Sequence, residues 1–532
     1  MKKITTVLLT MAVSLAAATS AAAPTGRKSS PRTINRSAPA AAAATARSAA
    51  NTPANQLTQA LALVRQGNCL QASPMLYSLS RRPEFATERM QIKYILGSCL
   101  MGLKLNQISA FQFVDVVRRG DSKYVRQSLE KLSIAADQLG DDTLLNYAIS
   151  KVRVDEFPND QKDIVYFRLG EIKLKNNEAP AAAQLFAQVP PNSRYHAAAL
   201  YKRGLSDLES NHVSEAIKSF NELLASRNGA PVTDPTRVQA LIALARSYYQ
   251  AQDWEKSLEY YREIPRDSEL WHDSVFESTW ANLRAAKFRS TLGLLQTIHS
   301  SFYEDYYVPE SLLVRSIVYL YICKFEETEK TLNLFEKTYQ PAADSIGRFV
   351  ETIRDPNYYF AEIEKAYSIR REKKPITGLK LPYMIARQVL EEGDVKRAFS
   401  YIRALNEERL RLESYGPIAR SPLGVYALKV LANRYKNTKI TIGEMARAHL
   451  IALKTDIREL FEQASFIRYE TINGQKESLK KKIAEKEVET QIDDQIDRTF
   501  YVQNGYEYWP FDGEYWIDEL GNYHYLGKQS CK

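Results

Sequence analysis

The feature that most constrains this chain is a spacing that repeats. Gly170, Ala182, Phe186 and Val189 stand 12, 4 and 3 residues apart, and Gly204, Ala216, Phe220 and Leu223 repeat that spacing 34 residues later. A third set, Ala245, Ser257, Tyr261 and Ile264, follows after a seven-residue excess that contains R-N-G-A-P-V-T-D-P and reads as a loop. Two helices per period satisfy the pattern. A small residue in the first helix lets the second cross closely through its own small residue twelve positions on. Rings and aliphatics at the remaining positions fill the space between neighbouring pairs. Each pair leaves an apolar face open until the next covers it, so the pairs must stack.

The segments L-G-x-x-x-L at Leu169 to Leu174, G-x-x-x-L at Gly204 to Leu208 and L-A-R-S-Y-Y at Leu244 to Tyr249 match first helices of the tetratricopeptide-repeat family. A-A-A-Q-L-F, E-A-I-K-S-F and K-S-L-E-Y-Y match its second helices. The chain therefore resembles that family most strongly over residues 163–265, within a repeat region expected at 56–340. The resemblance implies an all-α fold, a right-handed α-solenoid of helical hairpins. The family's proline near the end of each repeat is displaced here, since Pro190 and Pro265 both come earlier.

By the family's register, the first helices line a groove that holds a partner segment. Carried over residue by residue, the groove positions are Phe167, Glu171, Tyr201, Leu205, Arg246, Tyr249, Phe276 and Trp280. The set is mainly apolar and aromatic, and the family's Lys and Asn carboxylate clamp is absent. A hydrophobic or amphipathic segment of another protein is the expected ligand.

Beyond the repeats, residues 341–472 read as a helical continuation and 473–498 as a charged amphipathic helix, with Asn473-Gly474 expected to break the two. Residues 499–532 are dense in aromatics. W-P-F-D-G-E-Y-W and E-L-G-N-Y-H-Y set turn residues between rings and suggest a small aromatic hairpin. Two readings stay open for it: a cap over the last helices, which is preferred, or a docking patch using Trp509, Phe511, Tyr515 and Trp516. The tail is also similar to C-terminal tails of repeat proteins associated with gliding-motility and other envelope machines.

The start of the chain reads as a secretory signal over residues 1–23. Lys2 and Lys3 precede a short apolar run from Ile4 to Ala18, and small residues suited to cleavage follow. Residues 24–55 read as a disordered, basic Ala/Pro/Ser linker. Lys2, Lys3, Arg27, Lys28, Arg32, Arg36 and Arg47 carry seven of the nine net positive charges, so the basic balance belongs to this end and does not mark a nucleic-acid-binding body. The expectation is export to a bacterial periplasm or the periplasmic face of the outer membrane. The basic tail would have peptidoglycan or a membrane surface within reach, and envelope proteins would be the partners.

The sequence shows no catalytic constellation. The six histidines lie scattered with no metal-ligand spacing, and neither a phosphate-binding glycine loop nor a G-x-S-x-G elbow occurs. No cofactor and no catalytic residue is expected. A non-catalytic protein–protein scaffold is therefore the preferred reading, with a periplasmic cell-wall enzyme or glycan-binding module as the alternative. An oxidising compartment permits disulfides. Cys69 and Cys99, in adjacent hairpins, are the candidate pair, whereas Cys323, after V-Y-L-Y-I, is expected to be a buried free thiol.

Overall fold

A computed structural model describes residues 52–119, 122–151, 162–484 and 512–527, with isolated positions at 503 and 505. The signal, most of the linker and the end of the charged segment, from 485 to 498, lie outside the described residues. The chain divides into two compact units, one of residues 1–168 and 392–442 and the other of 169–391 and 443–532. The described residues contain helices and turns and no strand.

The helices of the first unit are α1 (Pro53–Arg65), α2 (Cys69–Leu79), α3 (Arg89–Gly102), α4 (Asn106–Arg119), α5 (Ser122–Leu139) and α6 (Thr143–Ile149), and α7 (Lys162–Lys175) begins in it. The second unit continues with α8 (Ala179–Ala187), α9 (His196–Glu209), α10 (Val213–Ala225), α11 (Pro235–Gln250), α12 (Trp254–Arg262), α13 (Trp271–Arg284) and α14 (Phe288–Ile298). It then holds α15 (Pro309–Tyr321), α16 (Phe325–Thr352), α17 (Pro356–Glu372) and α18 (Tyr383–Glu391). Helices α19 (Gly393–Ser414) and α20 (Gly416–Ala419) belong to the first unit, and the 63-residue α21 (Pro422–Ala484) begins there and ends in the second.

One turn is used throughout. Seven hairpins are joined by three residues whose middle member is left-handed: Gly67, Lys104, Asn177, Asn211, Gln252, Ala286 and Cys323, with φ between 55° and 76°. The third residue of each turn donates its N–H back to a carbonyl five residues earlier, as His212 does to Asp207 at 2.8 Å and Lys324 to Tyr319 at 2.8 Å. This bond satisfies a carbonyl that the helix end leaves orphaned. Glycine and asparagine tolerate the left-handed conformation; Gln252, Ala286 and Cys323 are held in it at a cost.

The hairpins close on the small residues. A Cβ built on Gly204 would lie 2.5 Å from the Phe220 ring, and Gly170 and Gly97 stand in the same relation to Phe186 and Phe113 at 2.6 and 2.7 Å. The ring, sixteen positions on, fills the space a side chain would occupy. Where the second small residue is serine, its hydroxyl donates to the carbonyl of the first: Ser109 to Gly97 at 2.9 Å and Ser257 to Ala245 at 2.8 Å. The register continues through Thr279, Thr291 and Leu295 and through Ser316, Thr328 and Leu332, all fully buried.

In the first unit α19, α20 and the start of α21 complete the core of the N-terminal hairpins. Tyr401, Leu405, Leu412, Ile418, Leu423 and Leu431 join Leu76, Leu96 and Ile108 in one apolar cluster. At its centre Glu408, 2% exposed, accepts N–H bonds from Gln107 at 2.8 Å and Ile108 at 3.2 Å. These are orphan donors in the first turn of α4, so a carboxyl from α19 caps a helix some 300 positions earlier in the chain. Burial raises the Glu408 carboxyl to about 7, with the two N–H bonds acting against the rise. Cys69 and Cys99 form a disulfide that ties α2 to α3, a separation of 30 residues.

In the second unit the remainder of α21 packs along α15 and α16, with Ala464 and Ile467 against Leu312, Leu332, Phe335 and Tyr339. Arg468 bonds Glu329, Asn333 and Glu336 on α16 at 2.7–3.1 Å. The helix runs unbroken through Asn473-Gly474, which corrects the expected interruption. The glycine serves close approach instead, since a Cβ there would meet the Phe325 ring at 2.7 Å. A second correction concerns Cys323, which is disulfide-bonded and not a free thiol. It sits half-buried in the turn after α15, past the apolar helix interior that its neighbours had suggested.

Two measurements test this account. Gly204→Ala forces a methyl into the Phe220 ring and is expected to lower stability by about 1–3 kcal/mol in denaturant unfolding, despite the better helix propensity of alanine. For Glu408 the folded carboxyl takes up its proton at higher pH than the unfolded one. Stability of the first unit is therefore expected to fall as pH rises from 4.5 to about 7. The loss is at most about 3 kcal/mol, and Glu408→Gln should flatten the profile across that window.

Candidate functional site

The first helices of the second unit set a row of side chains at corresponding positions of α9, α11 and α13. Tyr201, Leu205, Tyr249, Phe276 and Trp280 are all half-buried. Tyr201 lies 5.9 Å from Phe220 and, with Leu205, packs on the cluster of Ala216, Phe220 and Leu244. Tyr249 meets Trp254 edge-on at 5.0 Å. Each of these residues thus has part of its surface in the core and part outside. Phe167 falls in the first unit and is 4% exposed, so it is a packing residue.

The two charged members are paired within the stack. Arg246 donates to both carboxylate oxygens of Glu277, at 2.8 and 2.6 Å, and the Tyr261 hydroxyl adds a third bond at 2.8 Å. Burial works against the Arg246 charge, but Glu277 outweighs it and holds the guanidinium above its ordinary value. Burial, reinforced by Glu277, likewise raises the Tyr261 phenol. Glu171 pairs with Lys202 at 3.1 Å. Pairing of this kind, bidentate at Arg246, neutralises the charge within the protein. What the row offers outward is mainly aromatic and aliphatic surface.

The aromatic tail is seated on the repeats. Arg266 donates to the Asp518 carbonyl at 2.7 Å, and the Gly521 N–H donates to the Thr297 hydroxyl at 2.7 Å. Gln296 donates to the Tyr515 hydroxyl at 3.2 Å, and Tyr525 packs against Leu292 and, edge-on at 6.3 Å, against Tyr319. Gly293 makes room for this. A Cβ there would lie 1.9 Å from the Tyr523 carbonyl oxygen. The described residues of the tail, 512–527, lie against α13–α15. Its described residues form turns in place of the expected hairpin, because their polar groups bond to the repeats and to one another, as the Trp516 N–H does to Tyr523. Trp516 is 46% exposed, and Trp509 and Phe511 lie outside the described residues.

Among the described residues no group of three or more His, Cys, Asp or Glu is placed to hold a metal, and no helix is long and apolar enough to cross a membrane. His299 is half-buried and held neutral: burial and Arg315 push it down to about 3, and it bonds Ser311 and Arg315.

Antiparallel helix pairs on a 34-residue pitch, with rings seated on small residues, define a helical-repeat protein. The family model of the tetratricopeptide repeat matches residues 201–269, and the hairpins within that stretch are similar to repeats of this family. Repeats of this family bind partner proteins or peptides and are generally non-catalytic. Among solved structures, the chain is similar to a tetratricopeptide repeat protein from Parabacteroides merdae ATCC 43184. That match has 12% identity and a TM-score of 0.26, covering 54% of this chain and 93% of the other. It is also similar to a Rap protein complexed with Competence and Sporulation Factor, with 12% identity and a TM-score of 0.29 over 74% of this chain and 99% of the other. A search of curated proteins finds no match.

The seat of the tail is open to a direct test. Gly293→Ala is expected to expel it, speeding protease cleavage within residues 512–527 by about tenfold while the repeats keep their helical signal.

Proposed function

We propose that this chain is a non-catalytic scaffold of the bacterial cell envelope that holds a hydrophobic or amphipathic segment of an envelope protein along its first helices. One observation carries the reading. The row Tyr201, Leu205, Tyr249, Phe276 and Trp280 keeps partly exposed apolar surface on consecutive repeats, while Glu171 and Arg246 are neutralised by Lys202 and Glu277. Such a surface suits an apolar helix face better than a carboxylate or phosphate. Export is supported by the signal-like start and by disulfides at Cys69–Cys99 and at Cys323, which persist in oxidising compartments. The periplasm, or the periplasmic face of the outer membrane, is the proposed location.

A photoreactive residue in place of Trp280 in intact cells is expected to give one discrete adduct with an envelope protein. Trp280→Glu should weaken that partner's binding at least roughly tenfold, the scale on which an aromatic anchor acts. Adducts only from position 516 would place the binding on the tail. No adduct from either site, together with wall-lytic activity of the purified chain, would sink the scaffold reading.

A further inference from the structure

The second half of α21 carries a second apolar surface, separate from the first-helix row. Its inner side is buried on the second unit, with Ile457 at 0%, Ala464 at 2% and Ile467 at 7% exposure. The outer side presents Phe466, Tyr469, Ile472 and Leu479, each 58–65% exposed, within four turns of one helix. Large apolar side chains at this density on a surface mark an association site. Beside Phe466 lies a shallow depression lined by Ile317, Glu459, Glu462, Gln463 and Ile467.

We infer that this stripe is a self-association surface on which a second copy of the chain lays the same segment antiparallel, with the twofold axis beside Tyr469. Charge selects this occupant. Before Tyr469 the outer face carries Glu459 and Glu462 against Arg458; after it come Lys476, Lys480 and Lys481 against Glu477. Glu462 and Lys476 stand seven residues before and after Tyr469, so antiparallel pairing sets each opposite the other in the second copy; Arg458 and Lys480, eleven residues either side, also face each other, with Lys480 held by its own Glu477 at 2.7 Å. Parallel pairing would set like charges together. Shape agrees with charge. Phe466 and Ile472 are three residues either side of Tyr469 and meet across the axis. The reversed helix also carries its Leu479, ten residues past the axis, to the depression beside Glu459 and Gln463. An isologous contact of this kind closes on itself as a dimer and does not propagate.

The test is the oligomeric state of the purified full chain by light scattering and sedimentation. A dimer that dissociates on dilution is expected, and Tyr469→Glu should be monomeric with an unchanged unfolding midpoint, since the side chain is 60% exposed. Glu462→Lys and Lys476→Glu should each weaken dimerisation roughly tenfold, and the double exchange should restore it because it preserves the pairing. Parent chain that stays monomeric at all concentrations would overturn the inference, as would a double exchange no tighter than the single ones. Monomer that instead floats with lipid vesicles, and loses this in Tyr469→Glu, would assign the stripe to a membrane and also overturn it.

Discussion

The repeats depend on one contact, an aromatic ring resting where a side chain is missing. Gly97, Gly170 and Gly204 each give up a Cβ so that a phenylalanine sixteen residues later can lie against bare backbone. Glycine inside a helix costs about 1 kcal/mol against alanine, and a fully buried ring is worth several times that. The exchange favours the pair, which explains why the spacing survives across hairpins whose other residues differ. Alanine in place of the glycine still keeps a ring, as with Ala245 and Tyr261, whereas threonine or serine is met by an aliphatic side chain. Thr279 and Ser316 are answered by Leu295 and Leu332 at the same sixteen-residue distance.

Much of this was legible because the contact is local. Gly170 and Phe186 are near enough in sequence for a fixed spacing to betray them, and the 34-residue period carries the hairpins from 163 to 265. The return of α19 to the first hairpins was not legible. The apolar face of Tyr401, Ile402 and Leu405 says that something covers it, and nothing in the sequence says that the partner lies near residue 108. Glu408 reads as one more charge on a polar helix until the N–H groups of Gln107 and Ile108 come into view. Asn473-Gly474 misled for the complementary reason: glycine marks a break in a chain considered alone, but a close approach once Phe325 is beside it.

The candidate row was legible in register and less so in character. Family positions located Tyr201, Arg246 and Trp280, yet an arginine in a groove suggests an acidic ligand. Only the structure shows Glu277 and Tyr261 already holding it. On the proposed reading, a partner would gain little from charge here, and complementarity of shape and apolar area would set its affinity. Association with such a surface is expected to tolerate salt, because screening acts on exposed charges and leaves apolar burial intact.

The capping of α4 by Glu408 also bears on how the molecule is taken apart and put together. Residues 392–442 are remote in sequence from the hairpins whose core they complete. Cutting the chain after residue 391 removes no terminal appendage; it opens the first unit and strands the amide groups at the head of α4. During synthesis the contiguous hairpins of 169–391 emerge before the first unit has all its parts. Neither unit is complete when its hairpins emerge: the first waits for 392–442 and the second for 443–532, so a nonsense change past the midpoint of the chain reaches back to its beginning.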